Sequence, residues 1–539
     1  MESYDYIVVG AGSAGCVVAR RLSDDPGVRV LLLEAGPPAD DFWVRTPAGM
    51  AKMYQSDRYN WRYFTEPVST LHNRRLYWPR GKGLGGTSAI NGMVYTRGNR
   101  RDYDHWADLG NPGWGWDDVL SYFKRSENNE RGAGPYHGSD GPLGVSDPAV
   151  KHPSAFDFLE AARRNGIPRL EDLNNGEPEG CGFFQATIHN GIRQSTYEAF
   201  LAPVRHRQNL VVQSGVQVRR VRFRGLEATG VDVVQSGELR SFSATHEVIL
   251  CAGTLSSPHL LMLSGIGNGE MLQRHGIQTL MHAPGVGKNL QDHFVARVQA
   301  KTTPDSSYNR DLLGWRKYWQ GICYLATHRG YLAQAASMAG AYVKSGPGID
   351  YADLQISFRP MTFTVSPSGE AAVDNYDAIS ASVYRVRPAS RGEILLRSAD
   401  PLQPPAFIPN YLSEPEDTQA MLSGIRQLRR ILATEPFASR VISEIVPGHG
   451  ITSDEQLIDF MEREGHCAFH PAGTCKMGKD DMAVVDERLR VRGVDRLRVI
   501  DASIMPTVTS CNTNAPTIMI GEKGADMIRA DSAAMRSSD

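Results

Sequence analysis

Short, nearly continuous apolar runs flank a glycine-rich turn at the start of the chain. Tyr6-Ile7-Val8-Val9 is the first, an apolar, largely β-branched stretch suited to a strand buried on both faces. Gly10-Ala11-Gly12-Ser13-Ala14-Gly15 follows at once, and the apolar positions of residues 16–22 suit a packed helix. A second apolar run, residues 28–33, ends at Glu34 and Ala35. Together they predict a βαβ unit and a parallel, doubly wound sheet. Strand patterns return at 210–212, 216–221, 230–234 and 247–250, spaced closely enough for an antiparallel meander that feeds back into that sheet. Residues 91–209 mix Gly, Pro, Trp and charge with no clear period. Residues 300–465 differ in character, with expected strands at 354–358, 379–386 and 393–396 and a helix over 418–434. A strand at 497–501 leads through a Pro- and Asn-punctuated loop to a helix over 517–530, and the small polar residues 531–539 are expected to fray.

Composition narrows the class. At 539 residues the chain needs more than one core, and 41% hydrophobic with 22% charged residues is ordinary for a globular protein. A net charge of −2 gives no electrostatic case for nucleic acid. No apolar run is long enough to span a bilayer. Met1-Glu2-Ser3-Tyr4-Asp5 carries acids where a secretory leader carries Lys or Arg. A cytoplasmic protein is therefore expected, with peripheral attachment at an inner membrane left open. The seven irregularly spaced cysteines read as reduced thiols. Cys467, His470, Cys475 and Cys511 fit no zinc-knuckle spacing, so no metal is expected.

Gly10, Gly12 and Gly15 match G-x-G-x-x-G between strand and helix, which allows a tight turn, close approach to a pyrophosphate, and close helix packing. The helix N-terminus offers free N–H groups to that anion. Glu34, 24 residues after the first glycine, is placed to accept from ribose hydroxyls and disfavours NADP. The turn does not by itself separate NAD from FAD.

Four further segments decide. Gly81-Lys82-Gly83-Leu84-Gly85-Gly86-Thr87-Ser88-Ala89-Ile90-Asn91 runs on to Asp102-Tyr103, and Gly253-Thr254-Leu255-Ser256-Ser257-Pro258 leads to Leu263-Ser264-Gly265-Ile266-Gly267. Phe469-His470-Pro471-Ala472-Gly473-Thr474-Cys475-Lys476-Met477-Gly478 is the third, and Ile500-Asp501-Ala502-Ser503-Ile504-Met505-Pro506 with Asn512-Thr513-Asn514-Ala515-Pro516-Thr517 the fourth. With the N-terminal turn, these resemble the glucose–methanol–choline (GMC) oxidoreductase family in order and over nearly the whole chain. The branch most similar is that of choline-dehydrogenase-like, alcohol dehydrogenase and sorbose dehydrogenase proteins.

The resemblance implies an α/β fold in which a Rossmann-type FAD-binding domain (residues 1–154, 201–298 and 466–530) is interleaved with an α+β substrate domain on an antiparallel sheet (155–200 and 299–465). It implies that FAD meets Gly10, Gly12, Ser13, Ala14, Gly15, Glu34, Ala35, Gly81, Gly85, Asn91, Gly92, Met93, Val94, Val218, Ala252, Asp501, Ala502, Asn512 and Thr513. Some relatives attach FAD through a histidine where this chain has Ile90, so the flavin is expected to be non-covalent. His470 is the implied base facing flavin N5, since imidazole takes a proton near neutrality, and Asn512, 42 residues later, would hold the alcohol oxygen. His466 and His293 are weaker candidates, His293 reading as mainly structural. Phe469 suggests an apolar wall beside the base. The reaction implied is oxidation of a small-molecule alcohol by hydride transfer to flavin N5. A quinone, another carrier or O2 would then take the electrons. An O2-using oxidase, a lyase or photodecarboxylase of the same fold, an NAD-dependent dehydrogenase and a catalytically dead scaffold stay open at this level.

Overall fold

The apolar run at 6–9 lies inside the strand Ser3–Val9, which pairs in parallel with Val30–Glu34 on one side and Glu238–Leu250 on the other. Residues 6–9 are all buried, Ile7 and Val8 fully, so this run shows no alternation towards water. In the computed structural model, which describes residues 2–365 and 371–536, this is the centre of a seven-stranded sheet. Its order is Leu210–Ser214, Val30–Glu34, Ser3–Val9, Glu238–Leu250, Glu227–Gln235, Val216–Arg224, with Leu497–Val499 also against Glu238–Leu250. The last three strands of that order are the antiparallel meander. Leu210–Ser214, read from sequence as part of it, instead extends the parallel edge beside Val30–Glu34. A short apolar run has the same pattern in either setting, so only the tertiary partner decides.

Helix Ser13–Leu22 packs against the C-terminal helix Asn514–Arg536, where a Cβ on Gly521 would come within 3.1 Å of Ala14 Cα. Arg21 grips Glu522 through two hydrogen bonds of 2.7 and 2.8 Å. This helix does not stop at 530: residues 531–536 continue it. Asp531 accepts from Arg488 and Arg498, which supplies the anchoring expected to be lacking there. Residues 537–539 of the expected fraying tail lie outside the described residues.

The second sheet is antiparallel, in the order Val441–Val446, Phe294–Thr302, Ala378–Arg385, Leu354–Arg359, Ala339–Val343, Gly180–Phe183, with His466–Cys467 on Phe294–Thr302. A boundary between residues 298 and 299 thus falls inside a strand. One face of this sheet presents Ala296, Val298, Ile356, Phe358, Ala381 and Val383 to a core shared with helices Pro153–Arg164 and Pro415–Leu432. The opposite face opens on a cavity of about 1980 Å³ that reaches back to the glycine turn. No helix among the described residues is long and apolar enough to cross a membrane.

Candidate active site

Two glycine loops interlock at the first sheet. Gly10 sits at φ 98°, and a Cβ on Gly15 would fall 1.9 Å from Gly10 O. At Gly86 a Cβ would fall 2.7 Å from Gly12 Cα, and Gly85 N–H donates to Ala11 O at 2.7 Å. Gly12 differs, because a Cβ there would meet only Cys251 O at 3.9 Å. Its missing side chain leaves cavity space open beside the start of helix Ser13–Leu22, which no side chain caps. Free first-turn N–H groups beside an open cradle suit a pyrophosphate. Glu34 holds the two loops together: its carboxylate accepts from Ala11, Gly36 and Gly83 N–H at 2.8 to 3.0 Å. Burial pushes its pKa up while these three donors favour the charged form.

The other motifs close on the same space. Asp501 accepts from Gly253 N–H (2.8 Å), Ser257 Oγ (2.5 Å) and Ser503 N–H (2.8 Å), which fixes the start of helix Gly253–Leu263 beside the cavity. Thr254 Oγ1 donates to Pro471 O, and Thr474 Oγ1 donates back to Thr254 O, so that helix also carries the His470 loop. Asn289 donates to Gly473 O and Pro506 O and thereby staples the third and fourth segments.

At the base of the cavity the hydrogen bonds set the protonation state of His470. His293 Nε2 lies 2.9 Å from Val386 O, a pure acceptor, so Nε2 carries the proton and His293 Nδ1 is bare. His470 Nδ1, 2.9 Å from His293 Nδ1, must then be the donor. His470 Nε2 is therefore unprotonated and acts as an acceptor at the cavity wall. Thr96 Oγ1 donates to Asn512 Oδ1 (3.3 Å), which turns the amide NH2 towards that nitrogen at 2.9 Å. Asp292 accepts the backbone N–H groups of both histidines and the Tyr411 hydroxyl, and so fixes their ring positions. Burial, then His293 and Arg80, hold His470 well below the ordinary imidazole range; burial takes His293 down to about 4 and Asp292 up to about 6. Phe469, just before the base, is held at φ 66°, and Arg80 Nη2 donates to its carbonyl at 2.7 Å.

Of the flavin-contacting residues and the pair His470 and Asn512 expected from sequence, all but Gly15 and Gly85 line this one cavity. Those two lie behind it and pack the turns. Cys467, His470, Cys475 and Cys511 bring no three ligand atoms together, and all seven cysteines are free. Sequence reading missed His293 as the partner of the base. The Gln291-Asp292-His293 run offered the only signal, and its meaning depends on Val386, 93 residues away.

A nucleotide cradle in one cavity with a neutral histidine whose unprotonated Nε2 meets an amide is the arrangement of a dinucleotide-dependent oxidoreductase. Profiles of the GMC oxidoreductase family match residues 4–295 and 388–521. The chain is 42% identical to mitochondrial choline dehydrogenase of Mus musculus, over 98% of this chain and 90% of that one. It is 41% identical to an alcohol dehydrogenase (acceptor) of Pseudomonas putida, over 97% and 95%. The crystal structure of pyridoxine 4-oxidase from Mesorbium loti superposes with a TM-score of 0.87 at 32% identity, covering 97% of this chain and 98% of that one. The chain belongs to the GMC oxidoreductase family, and FAD is the dinucleotide its cradle takes.

Proposed function

We propose that the protein oxidises an alcohol to the aldehyde or ketone, with His470 as general base and Asn512 orienting the oxygen. The observation that carries this reading is the unprotonated Nε2 of His470, set by the chain Val386–His293–His470 and turned to the Asn512 amide on the cavity wall. An alcohol oxygen seated between His470 and Asn512 would donate its proton to Nε2 and accept from the Asn512 amide. Bound FAD supplies the acceptor for the hydride of the carbinol carbon. Ile90, buried in the cavity wall, offers no nucleophile, which supports a non-covalent flavin. The purified protein should show a flavin band that bleaches anaerobically with one class of alcohol and should release all its flavin on denaturation. A band that no alcohol bleaches would refute the reading.

The proposed setting is the cytoplasmic surface of a membrane, with a quinone, another carrier or O2 as electron acceptor. Helix Gly314–Thr327 supports this. Trp315, Tyr318, Trp319, Ile322 and Leu325 recur at helical spacing and are each 55–73% exposed. Arg316 and Lys317 lie among them, and the helix holds no acid. An apolar, aromatic and basic helix face suits an anionic lipid interface. Lys317, Tyr318, Ile322 and Leu325 also line the cavity, so the same helix borders the path to the site. The protein should sediment with vesicles containing phosphatidylglycerol and much less so after Trp315→Ser and Trp319→Ser. Equal recovery in the supernatant with and without vesicles would count against the membrane.

A further inference from the structure

The pleat of the second sheet decides what the cavity wall offers beyond the base. Arg297 stands opposite Ser382 and Ser382 opposite Ser357; one repeat along, Arg359 stands opposite Ser380. These positions, with Val295 and Tyr384, form the cavity-facing set of three adjacent strands, because side chains alternate faces with period two. The wall is therefore two guanidinium groups with three serine hydroxyls between them.

Among the described residues, neither arginine has an acid. Arg297 Nη2 donates to His466 Nε2 at 2.6 Å, and His466 Nδ1–H is turned to Val295 O, which leaves that ring neutral. Arg359 Nε donates to the Ala336 carbonyl. Among the described residues, no ion pair involves either arginine, and the only carboxylates lining the cavity are Glu34 and Asp501, both engaged by backbone N–H groups at the cradle. Burial lowers both arginines' pKa, and the charge that Arg297 feels most is that of Arg359. Two like charges enclosed together without a counter-ion are costly, and guanidinium groups match the two-oxygen geometry of an anion.

We infer that the alcohol oxidised here carries an anionic group, a carboxylate or equivalent oxyanion, bound by Arg297 and Arg359 while its carbinol end meets His470. The inference rests on the alcohol-oxidation reading and names its substrate class. Spacing sets the length. Tyr384 lies with its ring centroid 6.1 Å from that of His470, and the Arg297–Ser382 row is two residues further along the strand, about 7 Å. Anion and carbinol thus bind on different rows of the wall, which an extended ω-hydroxy acid can span and a 2-hydroxy acid, with its two groups on neighbouring carbons, cannot. A quaternary ammonium alcohol such as choline is the poorest fit, for it would bring a third positive charge to the wall.

The test compares 6-hydroxyhexanoate, 1-hexanol and choline on the FAD-loaded enzyme, with hexanoate as a non-reacting probe. The expected result is a kcat/KM for 6-hydroxyhexanoate at least tenfold above that for 1-hexanol, no turnover of choline, and competitive inhibition by hexanoate. Arg297→Gln and Arg359→Gln should each bring the acid-to-alcohol ratio towards one, with flavin content showing that the variants fold. Equal kcat/KM for the two aliphatic substrates, a preference for choline, or a ratio unchanged in both variants would overturn the inference while leaving alcohol oxidation standing. If none of the three reduces the flavin, hexanoate binding still reports on the wall: a perturbed flavin spectrum that is lost in both variants supports the anion site, and no perturbation overturns it.

Discussion

His470→Ala is expected to keep its FAD and lose reduction of the flavin by alcohol, with kcat falling by about 10²–10⁴, the usual contribution of a positioned base. Stopped-flow reduction and the flavin spectrum read both halves of that statement. A variant that still bleached at the wild-type rate would remove the base. The pH profile gives the same group a second reading. The folded protein holds His470 below its ordinary value because burial disfavours the cation. The unprotonated base therefore persists as pH falls past 6.5, and kcat/KM should stay level through neutrality and decline only at lower pH. His293→Leu removes the acceptor for His470 Nδ1–H. The proton then has no reason to stay on Nδ1, and the base faces the cavity in the wrong tautomer. A loss on the order of 10²–10⁴ in kcat is expected, with little change in KM. His293→Gln, which can both accept from His470 and donate to Val386 O, should recover part of it. A merely packing role for His293 predicts no such recovery.

Gly15→Ala is expected to yield protein without flavin and with lowered thermal stability. The added Cβ would stand 1.9 Å from Gly10 O, a contact between two backbone segments that cannot swing aside. Overpacking of this kind costs about 1–3 kcal/mol or more, here at the turn that must present its N–H groups to the cofactor. Gly12→Ala is the discriminating control. Its Cβ meets only Cys251 O at 3.9 Å, so the chain should fold and melt normally and yet bind FAD poorly, because the methyl enters the open cradle. Flavin-to-protein ratio and melting temperature separate the two. Full flavin occupancy in Gly12→Ala would show that the cradle lies elsewhere.

Local chemistry explains which elements could be read without a structure. The first βαβ unit announces itself because strand, turn and helix are contiguous, and Glu34 lies at the end of its strand. Helix Trp116–Ser126 escaped attention in the aperiodic stretch 91–209, although its buried Trp116, Val119 and Phe123 recur at helical spacing. Helix Gly314–Thr327 was harder to place, since its apolar face covers no core and looks outward. Leu210–Ser214 could not be assigned to the parallel edge, because an apolar run does not encode its partner's direction. The end of the last helix depended on Asp531 finding Arg488 and Arg498.

Sequence alone thus determined the glycine turn and the order of the family segments, because each is a contiguous pattern, and the resemblance those segments carry marked His470 and Asn512 as candidates. Tertiary structure decided everything that depends on what stands opposite. It set the proton on His470 through His293 and Val386, and it made Glu34 the tie between two glycine loops. It also put Arg297 and Arg359 on one wall without an acid. A hydrogen-bond chain and an unpaired charge are relations between distant segments, and they exist only once the sheets have brought those segments together.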